Sequence, residues 1–213
     1  MTANPLELAS LLCSRLCHDL LSPVGALSNG LELLAEEKDP EMRQRCFELL
    51  EQSARISAAK LKFFRLAFGA AGGFGDMVAV SEPRALIEGL LGERGCVSLN
   101  WAVADNELPK PAIKVLLNLA MIGMDALPRG GTLDVGAEVR DGASEIVVRA
   151  AGAKVVFDPS IGQALDGTID PAELSSRTAP AYMLHALTNA AGGGARYSYG
   201  TDALVMGAVL PLG

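Results

Sequence analysis

The chain has 213 residues, 50% hydrophobic and 20% charged, a composition that predicts a packed core and excludes a disordered chain. Its net charge of −7 at pH 7, with no Lys- or Arg-rich block, excludes nucleic acid as the main partner, because phosphate backbones are bound by basic side chains. No apolar run approaches the roughly 18–20 uncharged residues of a bilayer span, and the start MTANPLELAS lacks the basic segment of a secretory signal, so a cytoplasmic protein with no membrane role is expected.

Residues 5–37 read as one helix and 40–68 as a second, with Asp39-Pro40 between them and Pro40 suited to the first helical position. So short a link makes the pair an antiparallel hairpin, expected to form a first unit over 1–70. At about 100° per residue, Leu12, Cys13, Leu16, Leu20, Pro23, Val24, Leu27, Leu31 and Leu34 share one broad stripe of the first helix. His18 falls on the opposite side with Ser14, Arg15, Ser22, Gly25, Asn29, Glu32 and Glu36, so its imidazole is expected to face solvent.

A solvent-facing histidine is ordinarily unremarkable, but its neighbours are not. Asp19 follows directly, Ser22 lies one turn on, and Pro23 then interrupts the helix. Proline inside a helix removes a backbone hydrogen bond and costs about 3 kcal/mol, so a stripe that continues through it needs a local bend or an exposed carbonyl. A neutral imidazole is a good nucleophile near neutral pH and can take a phosphoryl group onto nitrogen. Asp19 either orients the ring or is a plain surface acid; Arg15 either screens phosphoryl charge or is a plain surface arginine. The second helix offers Met42, Cys46, Leu49, Leu50, Ile56, Phe63 and Phe64, more apolar surface than a lone hairpin can cover, which predicts a homodimer through a four-helix bundle.

Residues 69–76, GAAGGFGD, read as a linker, since no Lys-Ser or Lys-Thr follows and a helix precedes. A second unit over 71–213 then alternates short elements: strands at 77–80 and 96–103 around a helix at 83–91, a strong helix at 111–127, and a hairpin of 132–139 and 145–150 about Asp141-Gly142. A helix at 179–191, closed by Gly192–Gly194, and strands at 196–199 and 203–211 finish an α+β sandwich with helices on one face of a mixed sheet. Cys13, Cys17, Cys46 and Cys96 form no CxxC pair and are expected to be reduced core residues; no metal is expected. His185, on an apolar helix, reads as structural, and Trp101 as core or sheet surface.

His18-Asp19-Leu20-Leu21-Ser22-Pro23-Val24 resembles the H-box of two-component histidine kinases, and the second unit resembles that family's ATP-binding domain. Val115–Ala120 through Pro128-Arg129-Gly130-Gly131-Thr132 is similar to the N-box helix and its exit, with Asn118 at the upstream polar position. Ile122 stands where the magnesium-binding Asn is expected, and isoleucine cannot ligate a hard cation. Arg149–Lys154 replaces the adenine loop, and Arg177–Tyr182 the glycine-rich lid. This combination resembles the ChpT-type histidine phosphotransferases of alphaproteobacteria, which implies a dimer, a degenerate kinase ATPase domain and no bound ATP or other cofactor.

The same resemblance implies that His18 accepts a phosphoryl group from the receiver domain of a hybrid histidine kinase. It then donates to response regulators, including a cell-cycle transcription factor, with magnesium carried by the receiver. His18, Asp19, Ser22 and Arg15 are the expected catalytic set. Leu11, Ser14, Gly25, Asn29, Arg55 and Lys62 are the expected docking residues. An ATP-dependent kinase and a non-catalytic receiver-binding adaptor are the competing readings, with a receiver phosphatase using Ser22 as a lesser variant.

Overall fold

A computed structural model describes residues 4–69, 76–94 and 96–212 of the chain. Helix α1 (Pro5–Glu36) begins at Asn4, whose side chain accepts from the Leu6 amide, and runs unbroken through Pro23. Helix α2 (Pro40–Ala67) begins at Asp39, whose carboxylate accepts from the Glu41 and Met42 amides. These caps satisfy amides that the first turn of a helix otherwise leaves unpaired. Arg43 closes the other side of the turn by donating to the carbonyls of Leu34 and Glu37, so the hairpin tip is pinned at both helix ends. Gly30 is buried where α1 and α2 approach closely: a Cβ there would lie 3.0 Å from Leu50 Cδ2.

After the hairpin come β1 (Met77–Ala79), α3 (Ser81–Arg94), β2 (Val97–Val103), β3 (Glu107–Pro109) and α4 (Lys110–Asp125). They are followed by β4 (Gly131–Arg140), β5 (Ala143–Ala151), α5 (Pro159–Asp166), α6 (Ala179–Ala190), β6 (Gly194–Tyr199) and β7 (Ala203–Pro211). The main sheet has the order β2-β4-β5-β7-β6, with β2 parallel to β4 and the other pairs antiparallel. The mixed sheet with helices on one face follows the sequence expectation. The glycine-rich stretch read as a linker lies outside the described residues except for Gly69 and Asp76.

Helix α4 is the centre of the sandwich. Leu116, Leu117, Leu119 and Ala120 have no exposed surface. Gly123 lets the helix close on the sheet, since a Cβ there would stand 2.7 Å from Leu133 Cδ1. Gly130, at φ +85° in the turn into β4, holds a left-handed conformation that favours glycine.

Four expectations need correction. Strand β1 joins β3 in a separate two-stranded sheet, a partner too short to be read from three residues. Helix α5 was not expected, although Asp158-Pro159 is the same start signal seen at Asp39-Pro40. Phe63 and Phe64, expected to cover a hairpin bundle, instead enter the sandwich core, because the last turn of α2 packs on α4. The cysteines are not core residues: Cys13, Cys17 and Cys96 are exposed and Cys46 is half-buried. Three of them sit on the hairpin, which keeps much of its surface open within one chain.

Candidate functional site

His18 projects from α1 with its side chain 81% exposed. Its Nδ1 lies 3.2 Å from Asp19 Oδ1. An ionised carboxylate only accepts, so Nδ1 is the protonated nitrogen of this contact. In the neutral ring the lone pair then sits on Nε2.

Asp19 is itself held on its other oxygen. Arg15 Nε donates to Asp19 Oδ2 at 2.8 Å. The same guanidinium donates from Nη2 to Asp125 Oδ2, also at 2.8 Å, across 110 positions of sequence. Asp125 is the last residue of α4, so the contact joins the hairpin to the sandwich. Arg15 is accordingly only 15% exposed in its side chain, a correction to its expected place on the solvent face. Burial pulls the Arg15 pKa down, but Asp125 and Asp19 more than reverse this and hold it above its ordinary value.

Pro23 has no amide to give to the carbonyl of Asp19, four residues earlier. That carbonyl is taken by Lys60 of α2, whose Nζ donates to it at 2.9 Å. The carbonyl freed by the proline is thus satisfied by a cation at the base of the histidine-bearing turn. Sequence reasoning missed Lys60 and Asp125. Lys60 had a signal, because a freed carbonyl asks for a donor and the antiparallel hairpin brings this part of α2 opposite Asp19. Asp125 had none, because nothing local couples it to Arg15.

Among the expected residues, Ser14, Ser22 and Asn29 are exposed, and Leu11 and Gly25 are half-buried. All lie within about 40° of His18 on the helix surface, at 100° per residue. Arg55 and Lys62 are exposed on α2, away from the contacts of the histidine turn. Arg55 pairs with Glu51 beside a groove between α2 and α3. Lys62 borders a groove lined by Leu12, Cys13, Leu16 and Phe68. Between the hairpin and the sandwich lies a cleft of about 490 Å³ bordered by Arg15, Asp19, Ser22, Lys60 and Asp125.

The region read as a former nucleotide site is arranged differently. Ile122 is buried and borders a cavity of about 300 Å³ with Phe157, Ile161 and Pro180. Asp158 caps α5 by accepting from the Ser160 amide and hydroxyl, and pairs with Arg177 at 3.2 Å. The Ser160 hydrogen bonds, with a smaller contribution from Arg177, hold its carboxyl below the usual range. Asn118 is fully buried and donates to the carbonyls of Ala67 and Lys114, tying α4 to the end of α2. His185 bridges the Leu165 carbonyl, to which Nδ1 donates at 3.1 Å, and Asn189, from which Nε2 accepts at 2.8 Å. Among the described residues, no helix is long and apolar enough to cross a membrane.

Residues 80–203 match the family described as histidine phosphotransferase C-terminal domain. Protein phosphotransferase ChpT of Brucella abortus (strain 2308) is 36% identical over 193 residues, spanning 90% of each chain. A solved bacterial phosphotransferase structure superposes with a TM-score of 0.84 at 32% identity, over 98% of each chain. The histidine kinase AdeS of Acinetobacter baumannii overlaps with a TM-score of 0.47 at 12% identity, over 92% of this chain and 98% of that one.

Proposed function

This chain belongs to the histidine phosphotransferase family that includes ChpT, and from that premise we propose that His18 carries a phosphoryl group between receiver domains of a phosphorelay. The observation that supports this best is the exposed imidazole whose Nδ1 is held by Asp19. In the proposed step, the Nε2 lone pair attacks the phosphorus of a receiver aspartyl phosphate. The N–P bond forms as the bond from phosphorus to the aspartyl oxygen breaks, and the carboxylate leaves. The Nδ1 proton stays on the ring, whose new positive charge faces Asp19. Return of the group to a second receiver aspartate is the reverse.

The receiver supplies its own magnesium, and this chain supplies a positioned nucleophile and a docking surface. The source is a hybrid kinase receiver and the recipients are response regulators in the cytoplasm. We propose that no ATP is used: Ile122 offers no oxygen ligand, and Asp125, a carboxylate on the cavity that Ile122 borders, is engaged by Arg15. The Asp158 in that wall is already spent on Ser160 and Arg177.

The exposed apolar side chains of the hairpin support a homodimer. On α1, Leu31 is 59% exposed, and Leu6 and Val24 are also exposed. On α2, Phe47 and Leu61 are each 50% exposed. Val24 and Leu31 stand seven residues apart and Phe47 and Leu61 fourteen, the recurrence of a helical bundle seam.

Incubation with a phosphorylated receiver domain tests the function. The expected result is acid-labile, alkali-stable label on His18, lost in His18→Ala while receiver binding persists. Unchanged receiver-to-receiver transfer by His18→Ala would leave only an adaptor.

A further inference from the structure

The contacts around His18 form one chain that starts in the other unit. Asp125, at the end of α4, holds Arg15; Arg15 holds one oxygen of Asp19; and Asp19 presents its other oxygen to the imidazole. We propose that Asp125 is a positioning residue for His18, so that the kinase-like sandwich fixes the tautomer of the phosphate-accepting ring through Arg15. The proposal rests on the carrier reading above and assigns the sandwich a part in it.

The geometry supports each link. A guanidinium is planar and its donors have fixed directions, so Nη2 bound to Asp125 sets where Nε can point. Nε then claims Asp19 Oδ2, which leaves Oδ1 as the oxygen facing Nδ1. With Asp125 absent, Arg15 keeps one partner, Asp19 on its own helix, and its guanidinium is no longer fixed at two points. Arg15 can then swing, and the Asp19 carboxylate can turn either oxygen to either partner. The imidazole, mostly exposed, has no other partner among the described residues to hold Nδ1–H. An unanchored ring divides between tautomers, and only the one with its lone pair on Nε2 presents that nitrogen to an incoming phosphorus. Lys60 holds the Asp19 backbone independently, so loss of Asp125 frees the carboxylate without unfastening the turn.

The test uses the full chain with histidine 15N labels at pH 8, in wild type, Asp125→Ala, Asp125→Glu and Arg15→Lys. Nitrogen shifts report the His18 tautomer without any receiver, and His185 serves as the internal control. Phosphoramidate, a small donor that needs no docking surface, reports the rate of His18 phosphorylation. The wild type is expected to show Nδ1–H and a free Nε2. Asp125→Ala and Arg15→Lys are expected to give mixed tautomers and phosphorylation slowed roughly tenfold or more, the scale of losing an outer partner that orients a reacting group. Asp125→Glu is expected to recover most of both.

An unchanged His18 tautomer in Asp125→Ala overturns the proposal, including when the rate falls, since that outcome makes Asp125 structural only. If Asp125→Ala fails to fold, the same tautomer criterion applied to Arg15→Lys decides. A tautomer shift in Asp125→Ala, together with a wild type that accepts no phosphoryl group from phosphoramidate or from receivers, would instead defeat the carrier reading and leave the positioning intact.

Discussion

Helices α1 and α4 are both rich in leucine, yet the chain treats them in opposite ways. Of the 16 residues of α4, twelve are buried. Of the 32 residues of α1, only Pro23 and Gly30 are. Helix α4 lies between a sheet and three helices, so every face finds apolar contact within its own chain. Helix α1 rests on α2 and meets the sandwich along one side, through Leu8, Leu16 and the Arg15–Asp125 pair, which leaves its outer stripe without cover. The order of α4 is internal, whereas α1 stays accessible to other molecules at both its apolar stripe and its histidine. The carrier role proposed for His18 fits the second kind of helix, open to partners and braced at its base by Lys60 and Arg15.

The contrast is broken most completely by charging the outer stripe. Leu31→Glu combined with Leu61→Glu is expected to convert the proposed dimer into a monomer in sedimentation velocity. Both side chains are already exposed in the single chain, so the secondary structure seen by circular dichroism is expected to persist. Dimerisation unaffected by the pair would place the interface elsewhere. The opposite substitution is Leu116→Ala in α4, at a position with no exposed surface. It is expected to cost about 2–5 kcal/mol in urea unfolding, the range for emptying a packed leucine site. Leu31→Ala, at a concentration where the protein is monomeric, is expected to stay within about 0.5 kcal/mol.

The brace is sharpened by Lys60→Met, which keeps the length of the side chain and removes its donor. The Asp19 carbonyl then lacks both its helical amide, absent in Pro23, and its substitute. A hydrogen bond to a charged group is worth about 1.5–3 kcal/mol, and the half-buried site keeps part of that. The loss is expected to be local, read as faster amide exchange in α1 around Pro23 with little change in α4. Uniform loss of protection would mean that Lys60 supports the whole fold.

These differences also divide what the sequence discloses. The hairpin, the exposed His18 and the mixed sheet are legible because helix periodicity, Asp-Pro starts and strand alternation are local signals. The fate of Phe63 and Phe64 is not, because periodicity says that a residue is apolar and cannot say which neighbour covers it. Arg15 shows the same limit in the site: its helical angle places it beside His18, but only the tertiary position of Asp125 decides that it turns inward. Lys60 lies between these cases. Pro23 announces an unfilled carbonyl, and the donor must then be found by folding the hairpin. Neither β3 nor α5 offers more than a few residues of pattern, and α5 gave only its cap.

The smallest expected effect belongs to the cavity by Ile122, and it tests whether that region now serves stability alone. Asp158 accepts from Ser160 and pairs with Arg177 at the start of α5. Asp158→Ala removes the cap and is expected to cost about 1 kcal/mol at pH 7, the usual price of losing one. Asp158→Asn keeps an oxygen for the cap and is expected to cost only a few tenths. Because the folded carboxyl titrates below its unfolded value, its stabilisation is complete above the unfolded pKa, near 4, and is lost as pH falls through the lower folded pKa. The stability gap between wild type and Asp158→Asn should therefore be constant from pH 5 to 7 and should close below about pH 4. Urea unfolding at fixed protein concentration measures both variants. Phosphoramidate labelling of His18 in the same variants should match the wild type, since the Asp158 carboxylate is engaged by Ser160 and Arg177 at the start of α5.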